Sequence, residues 1–295
     1  MIAVCAQALS TIDDPSHTEI AFFGGSFTAL PRREMESLLK AAYRFVEAGQ
    51  VSGIRLSTRP DAIDEEILSL LKRYGVTAIE LGAQSMDDAV LRQCGRGHTA
   101  QDVRDASRQI CAAGFALGLQ MMTGLPGASA DSDRRTATEL AVLQPQTVRV
   151  YPTLVLEHTP LAAWYRNGAY QPQTKEEAIA LGAWLLHYFE IERGIRVIRM
   201  GLQDEDDLKR HLIAGPFLPA FREWCENRLY FDMALDRLPP PDSTAWTLAV
   251  HPSAVSKMVG QRRCNVEKLA ARGYRVRVTA HTQVPMWDIL IEKGK

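Results

Sequence analysis

The sequence predicts an α/β fold built on a parallel sheet or barrel. Three observations carry this. Short apolar runs alternate one for one with longer stretches of helical periodicity. The helical stretches have their own start or stop signals. The apolar runs end on glycine or small polar residues, at the end of the strand where ligands bind in folds of this class.

In chain order, strand Ile20–Phe23 runs into Gly24-Gly25, where the absence of Cβ atoms lets a ligand approach the backbone. Glu34–Ala48 places Met35, Leu38, Leu39, Ala42 and Phe45 on one helical face. Strand Ile54–Thr58 leads into Arg59-Pro60-Asp61, and helix Glu65–Tyr74 stops at Gly75. Strand Ala78–Leu81 ends at Gly82-Ala83-Gln84-Ser85. Thr99-x-x-Asp102 caps a helix that stops at Gly114, and strand Ala116–Met122 ends in Thr123-Gly124-Leu125-Pro126-Gly127. A helix around Thr136–Leu143 precedes strand Thr147–Tyr151 and the segment Pro152–Val155. Thr159-Pro160 opens a short helix closed by Gly168, and the capping box Thr174-x-x-Glu177 opens a longer one ending at Gly194. Ile195–Met200 is the last strand of the series, and the acidic run Asp204–Asp207 beyond it reads as a dipole-favoured first turn. Helix Ala220–Leu238 then meets Pro239-Pro240-Pro241, a linker signal. This divides the chain into a main body over residues 1–238, a linker over 239–245 and a small appendage over 246–295.

A length of 295 residues, 46% hydrophobic and 23% charged, is that of a soluble globular protein with one large domain or a domain plus appendage. A net charge of −1 excludes a globally basic binder of nucleic acid or membrane, so any such surface is local. No apolar run reaches the roughly 20 residues of a membrane span. The opening MIAVCAQALSTIDD lacks the basic flank of a signal peptide, so the cytoplasm is the expected compartment. The five cysteines, Cys5, Cys94, Cys111, Cys225 and Cys264, show no C-x2-C spacing, and the histidines no H-x3-H pair. Cys111, in phase with Val103, Ala106 and Ile110, reads as a core residue, as does Cys225 beside Phe221 and Trp224.

Five strand ends carry the candidate site. Gly24, Gly25, Ser26 and Thr28 offer backbone groups and hydroxyls; Thr58 and Arg59 offer a hydroxyl and a fixed cation. Gln84 and Ser85 suit ribose hydroxyls, Gly124 allows close backbone approach, and Tyr151 with Leu154 begins an apolar wall whose backbone edges are free. Each has a plainer reading too: Arg59 could pair with a surface carboxylate, and Gln84 could cap the next helix.

The stretches FFGGSFTALP, STRPD, ELGAQS, MMTGLPG, VRVYPTLV and RMGLQ, in this order, closely resemble the radical S-adenosylmethionine (SAM) superfamily, in its Elongator-catalytic-subunit-like branch without an acetyltransferase domain. The resemblance covers roughly Ile20–Leu238 and implies a partial (β/α)6 barrel. It implies that Gly24, Gly25 and Ser26 hold the methionine amino group, that Gln84 contacts the ribose, and that Gly124 and residues 152–155 flank the adenine. It also implies reductive SAM cleavage to a 5′-deoxyadenosyl radical at a 4Fe–4S cluster, with tRNA as substrate and a ferredoxin or flavodoxin as electron donor.

One departure stands out. That family holds its cluster with C-x3-C-x2-C after the first strand, whereas the 23 residues before Gly24 contain Cys5 alone. A βα unit with its loop takes roughly 30 residues, so a barrel lacking its first strand is expected, with residues 1–10 as the helix after the missing loop. The intact SAM-facing turns favour a late start over loss of the cluster, and the chain as written is expected to be inactive. The rivals are a cluster-less SAM- or nucleotide-binding pseudoenzyme and, more remotely, a phosphate-binding barrel enzyme. Beyond the linker, Lys257, Arg262, Arg263, Lys268, Arg272, Arg275 and Arg277 stand against the single acid Glu267. This stretch is loosely like an RNA-binding KH-type unit, although its GXXG loop is not present as such. Lys257, Arg262, Arg263 and Lys268 are the candidate RNA contacts; a merely solvated basic face is the alternative.

Overall fold

The alternation folds into strands β1 (Glu19–Phe22), β2 (Gly53–Thr58), β3 (Val76–Gln84), β4 (Ala116–Thr123), β5 (Thr147–Pro152), β6 (Val155–Leu156) and β7 (Arg196–Met200). All but β6 join one sheet in the order β1-β2-β3-β4-β5-β7, six parallel strands that curl into a half-barrel, as expected. The computed structural model describes residues 2–294; Met1 and Lys295, the ends of the expected N-terminal helix and appendage, lie outside the described residues. Two compact units divide the chain, one running to Arg149 and one starting at Val150.

In the first unit, α1 (Ile2–Leu9) carries Cys5, and β1 is a sheet edge with no strand before it among the described residues. Helix α2 (Arg32–Glu47) buries Met35, Leu39, Ala42 and Phe45. Asp64 caps α3 (Glu65–Arg73), accepting from the Ile67 amide at 2.7 Å. Asp87 caps α4 (Asp88–Gln93), and Thr99 with Asp102 forms the expected capping box of α5 (Ala100–Ala112). Helix α6 (Ala130–Val142) starts well ahead of the expected Thr136, because Ser129 and Ser132 form a capping box without a glutamate. Cys111 is exposed, contrary to its core reading. Val103, Ala106 and Ile110 are buried, but one step along a helix turns about 100° and carries Cys111 off that face.

Ile54, Leu56, Ile79 and Leu81 are fully buried. Alternating with them on β2 and β3, Arg55 and Glu80 share the other face of the sheet. Glu80, only 3% exposed, accepts from Arg55 at 3.1 Å and from Arg149 at 2.5 Å, and Arg55 also meets Glu19 at 2.8 Å. Gly118 stands opposite Glu80 on β4, and a Cβ there would lie 2.6 Å from Glu80 Cγ and 3.0 Å from Thr147 Oγ1. Because two arginines hold Glu80, it cannot swing aside. Gly118→Ala is therefore expected to destabilise the fold by about 2 kcal/mol, the usual cost of overpacking. Urea unfolding measures it, and an unchanged midpoint would show that the network yields.

In the second unit β6 pairs antiparallel with β8 (Leu212–Ala214), Val155 opposite Ala214. The backbone edge expected to be free along Tyr151–Val155 is thus taken at Val155. Helices α7 (Pro160–Arg166) and α8 (Lys175–Leu186) follow their caps, and α8 continues into a π-helical stretch, His187–Glu192, that periodicity does not announce. Helix α9 (Asp206–His211) begins inside the acidic run, as expected. Helix α10 (Phe221–Arg237), with Cys225 buried, packs Tyr230, Phe231 and Ala234 into one core with Leu248, Val250, Met258 and Leu269. The last four come from β9 (Ala245–Val250), α11 (Val255–Val259) and α12 (Cys264–Ala271); β10 (Arg275–Ala280) and β11 (Leu290–Lys293) complete a three-stranded sheet in the order β10-β9-β11. Among the described residues no helix is long and apolar enough to cross a membrane.

Candidate functional site

The carboxyl ends of β1 to β3 open into a cleft of about 300 Å³. Gly24, Gly25, Ser26, Thr58, Arg59 and Gln84 line it, so six of the expected residues come together. Gly24 has φ 109°, a conformation that suits glycine, while Gly25 is free of that constraint. A Cβ on either would meet no atom within 4 Å, so both glycines border open space.

Gln84 is placed by a distortion of β3. The β3–β4 register shifts between Leu81 and Gln84, and Gln84 takes φ 65°, a left-handed conformation costing about 1–2 kcal/mol in a residue with a Cβ. Gly82 makes room, since a Cβ there would lie 2.6 Å from Gln84 Nε2. Buried His98 bonds the Ala83 carbonyl at 3.1 Å, holding the bulge. Gln120 donates to Gln84 Oε1 at 3.2 Å, which leaves the Gln84 amide N–H groups to donate into the cleft. Gln84 therefore does not cap the following helix; Asp87 does.

The other expected residues are placed differently. Thr28 lies behind the cleft, its hydroxyl 2.5 Å from that of Thr58 and donating to the Ala62 carbonyl at 2.6 Å. Ser85 turns to the start of α4, accepting from the Asp87 amide at 3.1 Å. Arg59 is held by Asp61 through two bonds of 2.9 and 2.6 Å. Tyr151 and Leu154 belong to the second unit. Arg96, Ser57, Gly82 and Gln120 also line the cleft, and sequence reasoning missed them as site residues. Arg96 makes no ion pair among the described residues, so it brings an uncompensated cation there. The Gly95-Arg96-Gly97 turn was its only signal in the sequence.

Gly124 follows β4 with φ 68°, and its amide donates to Asp133 Oδ2 at 2.9 Å. Asp133 is 1% exposed on α6, and burial pushes its carboxyl up to about 7 against the lowering effect of that one bond. In the second unit Lys257 meets Glu226 at 3.0 Å and lies over the Trp287 ring, whereas Arg262, Arg263 and Lys268 are exposed and free of ion pairs with the described residues. Arg262 and Arg263 both take left-handed φ, 51° and 66°, between α11 and α12.

A parallel half-barrel with a glycine-edged polar cleft at its strand ends is the scaffold of a ligand-binding α/β protein. Residues 5–140 match the family model described as "Radical SAM superfamily", and residues 145–230 that described as "Radical_SAM C-terminal domain". The chain belongs to the radical SAM superfamily. It is 32% identical over 156 residues to the tRNA uridine(34) acetyltransferase of Methanocaldococcus infernus, an alignment covering 51% of this chain and 29% of that protein. It is 29% identical over 188 residues to Elongator complex protein 3 of Homo sapiens, covering 57% and 34%. The chain thus spans well under half the length of these relatives. The solved archaeal Methanocaldococcus infernus Elp3, with its N-terminus deleted, shares the fold at TM-score 0.67 and 24% identity, covering 81% of this chain and 58% of that one.

The donor set does not fit a 4Fe–4S cluster, which needs converging thiolates. Cys5 lies on α1, Cys94 at the end of α4, Cys111 on α5, Cys225 inside α10 and Cys264 at the start of α12. No three His, Cys, Asp or Glu residues converge as a metal site among the described residues.

Asp133 makes a test of the site's electrostatics. An acid whose folded pKa exceeds its unfolded value binds protons more tightly when folded. Its effect on stability is nil below about pH 4, and stability then falls by about 1.4 kcal/mol per unit as pH rises to about 7. Asp133→Asn is expected to remove that slope and to raise stability at pH 8. Urea unfolding between pH 4 and 8 reads it, and a slope that survives would assign the titration elsewhere.

Proposed function

We propose that the cleft binds S-adenosylmethionine and that the chain is the SAM-binding body of a cytoplasmic radical SAM enzyme that modifies tRNA. The observation that carries the SAM reading is the joining of open Gly24-Gly25, unpaired Arg96 and the outward amide of Gln84 around one space. The methionine ammonium lies against the carbonyls of the glycine pair. Arg96 takes the carboxylate, because Arg59 is neutralised by Asp61. Gln84 donates to a ribose hydroxyl, and Gly124 provides the adenine side. The family membership and the tRNA-acting relatives support the reaction class. An electron donor such as ferredoxin or flavodoxin is part of that class.

The scattered cysteines favour a second reading, a SAM- or nucleotide-binding protein without a cluster of its own. Anaerobic reconstitution of the 295-residue chain with iron and sulfide tests this cysteine set directly. These five cysteines are expected to give no stoichiometric cluster and no 5′-deoxyadenosine. A cluster with its electron paramagnetic resonance signal would show that they converge after all.

Calorimetry tests the cleft. Gly25→Val is expected to fold, since a Cβ there meets no protein atom within 4 Å and its φ is not left-handed, and to abolish SAM binding by filling the ligand's space. Arg96→Ala is expected to weaken SAM about tenfold to a hundredfold, the worth of one charged hydrogen bond. Unchanged affinity in a folded Gly25→Val protein rules the placement out. For RNA, Arg262→Ala with Arg263→Ala is expected to lower tRNA affinity and flatten its salt dependence through counterion release. Equal binding at all salt concentrations would leave that corner as a solvated face.

A further inference from the structure

We propose that the uncovered face of the sheet β10-β9-β11 is a second RNA surface, which grips the phosphate backbone and recognises the 2′-hydroxyl. This deepens the RNA half of the proposed function and rests on it. Leu248 and Val250 of β9, with Val276, Val278 and Ile291, point into the core shared with α10. Strand alternation therefore turns the intervening residues the other way. Register puts Arg277, Thr247 and Glu292 in one row across that face, with Arg275 beside Ala245 in the next.

The floor of small residues leaves a trough of about 510 Å³, larger than the SAM cleft. Arg275 and Arg277 form one wall, and Glu292 stands on the other. All three are exposed. Arg277 and Glu292 make no ion pair with any described residue, because β9 holds their strands about 9.6 Å apart, two strand spacings. The two arginines are two residues apart on one strand face, about 6.6 Å, close to the step between successive phosphates on an extended strand.

The charge pattern selects the occupant. A polyanion is drawn by two cations against one acid. An acidic peptide would bring carboxylates against Glu292 and be repelled there. RNA presents a phosphate to the arginine wall and a neutral donor, the 2′-hydroxyl, to the Glu292 carboxylate; DNA lacks that donor. The trough is distinct from the Arg262–Arg263 corner, which joins α11 to α12.

The test uses the full chain with a tRNA transcript, a single-stranded RNA, DNA of the same sequence, and polyglutamate. Arg275→Gln with Arg277→Gln is expected to weaken both RNAs at least tenfold at low salt. It should also reduce the slope of log affinity against log salt by about 1.4, two single-strand phosphate contacts. Glu292→Gln is expected to narrow the preference for RNA over DNA. Melting temperatures confirm that the variants fold. If the wild type binds RNA and the arginine variant binds equally well with the same slope, the inference fails while the RNA reading stands. If the wild type binds no RNA, the RNA reading falls and takes this surface with it. Polyglutamate binding that is lost in the arginine variant would make the face a site for acidic protein and overturn the assignment.

Discussion

A carboxylate as buried as Glu80 costs several kcal/mol in lost hydration unless its charge is matched at close range. Arg55 on β2 and Arg149 on β5 supply the match, and the second of these bonds passes over β4 where Gly118 leaves it space. Removing either arginine would leave a buried charge without a full complement, so neighbouring strands are held to one register. The same network divides the sheet's two faces. One carries Ile54, Leu56, Ile79 and Leu81 for the helices, and the other is polar from Glu19 to Arg149. The cleft is the open end of a sheet whose relative strand positions are set by ion pairs rather than by oil-like packing alone.

That rigidity makes the distortion at Gln84 bearable. A bulge with a left-handed glutamine would relax if β3 were free to slide, because nothing local favours it. Here β3 is pinned from Arg55 and Arg149 below the bulge and by His98 at the Ala83 carbonyl beside it. Gly82 and Gln120 then set the amide's place and orientation. Strain held by surrounding structure at a strand end is the usual mark of a site that must aim one side chain, which fits the assignment of Gln84 to the ligand.

Much of this was legible in the sequence, for physical reasons that also explain the rest. The strands and the helices α2, α3 and α5 declare themselves through period and caps, which are local. The glycine pair is legible because Gly24 takes a positive φ that suits a residue without Cβ. Arg96 was not, because a charged residue in a loop looks the same whether it meets a carboxylate, like Arg59, or none. Ser85 and Thr28 are ambiguous in the same way, since a hydroxyl that could meet a ligand equally suits an amide or another hydroxyl. Cys111 failed because one residue of phase separates a helix's buried face from its exposed one. The π-helical stretch after α8 depends on tertiary fit and leaves no trace in periodicity.

Net charge hides a division of labour. The total of −1 averages over arginines whose partners differ in kind. Near the cleft, Arg55, Arg59 and Arg149 each face a carboxylate, so their charges act within the protein, orienting strands and turns. In the C-terminal segment the balance reverses. Lys257 has an acid partner in Glu226, but Arg262, Arg263, Lys268, Arg275 and Arg277 stand without ion pairs among the described residues. Lys268 instead holds its ammonium over the Phe231 ring, 5.9 Å from its centre, as a cation–π contact. Unpaired cations on a folded surface repel one another and weaken the compact state slightly, so folding alone gives no reason to gather them. A polyanionic ligand does, since each phosphate contact releases bound counterions and turns that repulsion into affinity.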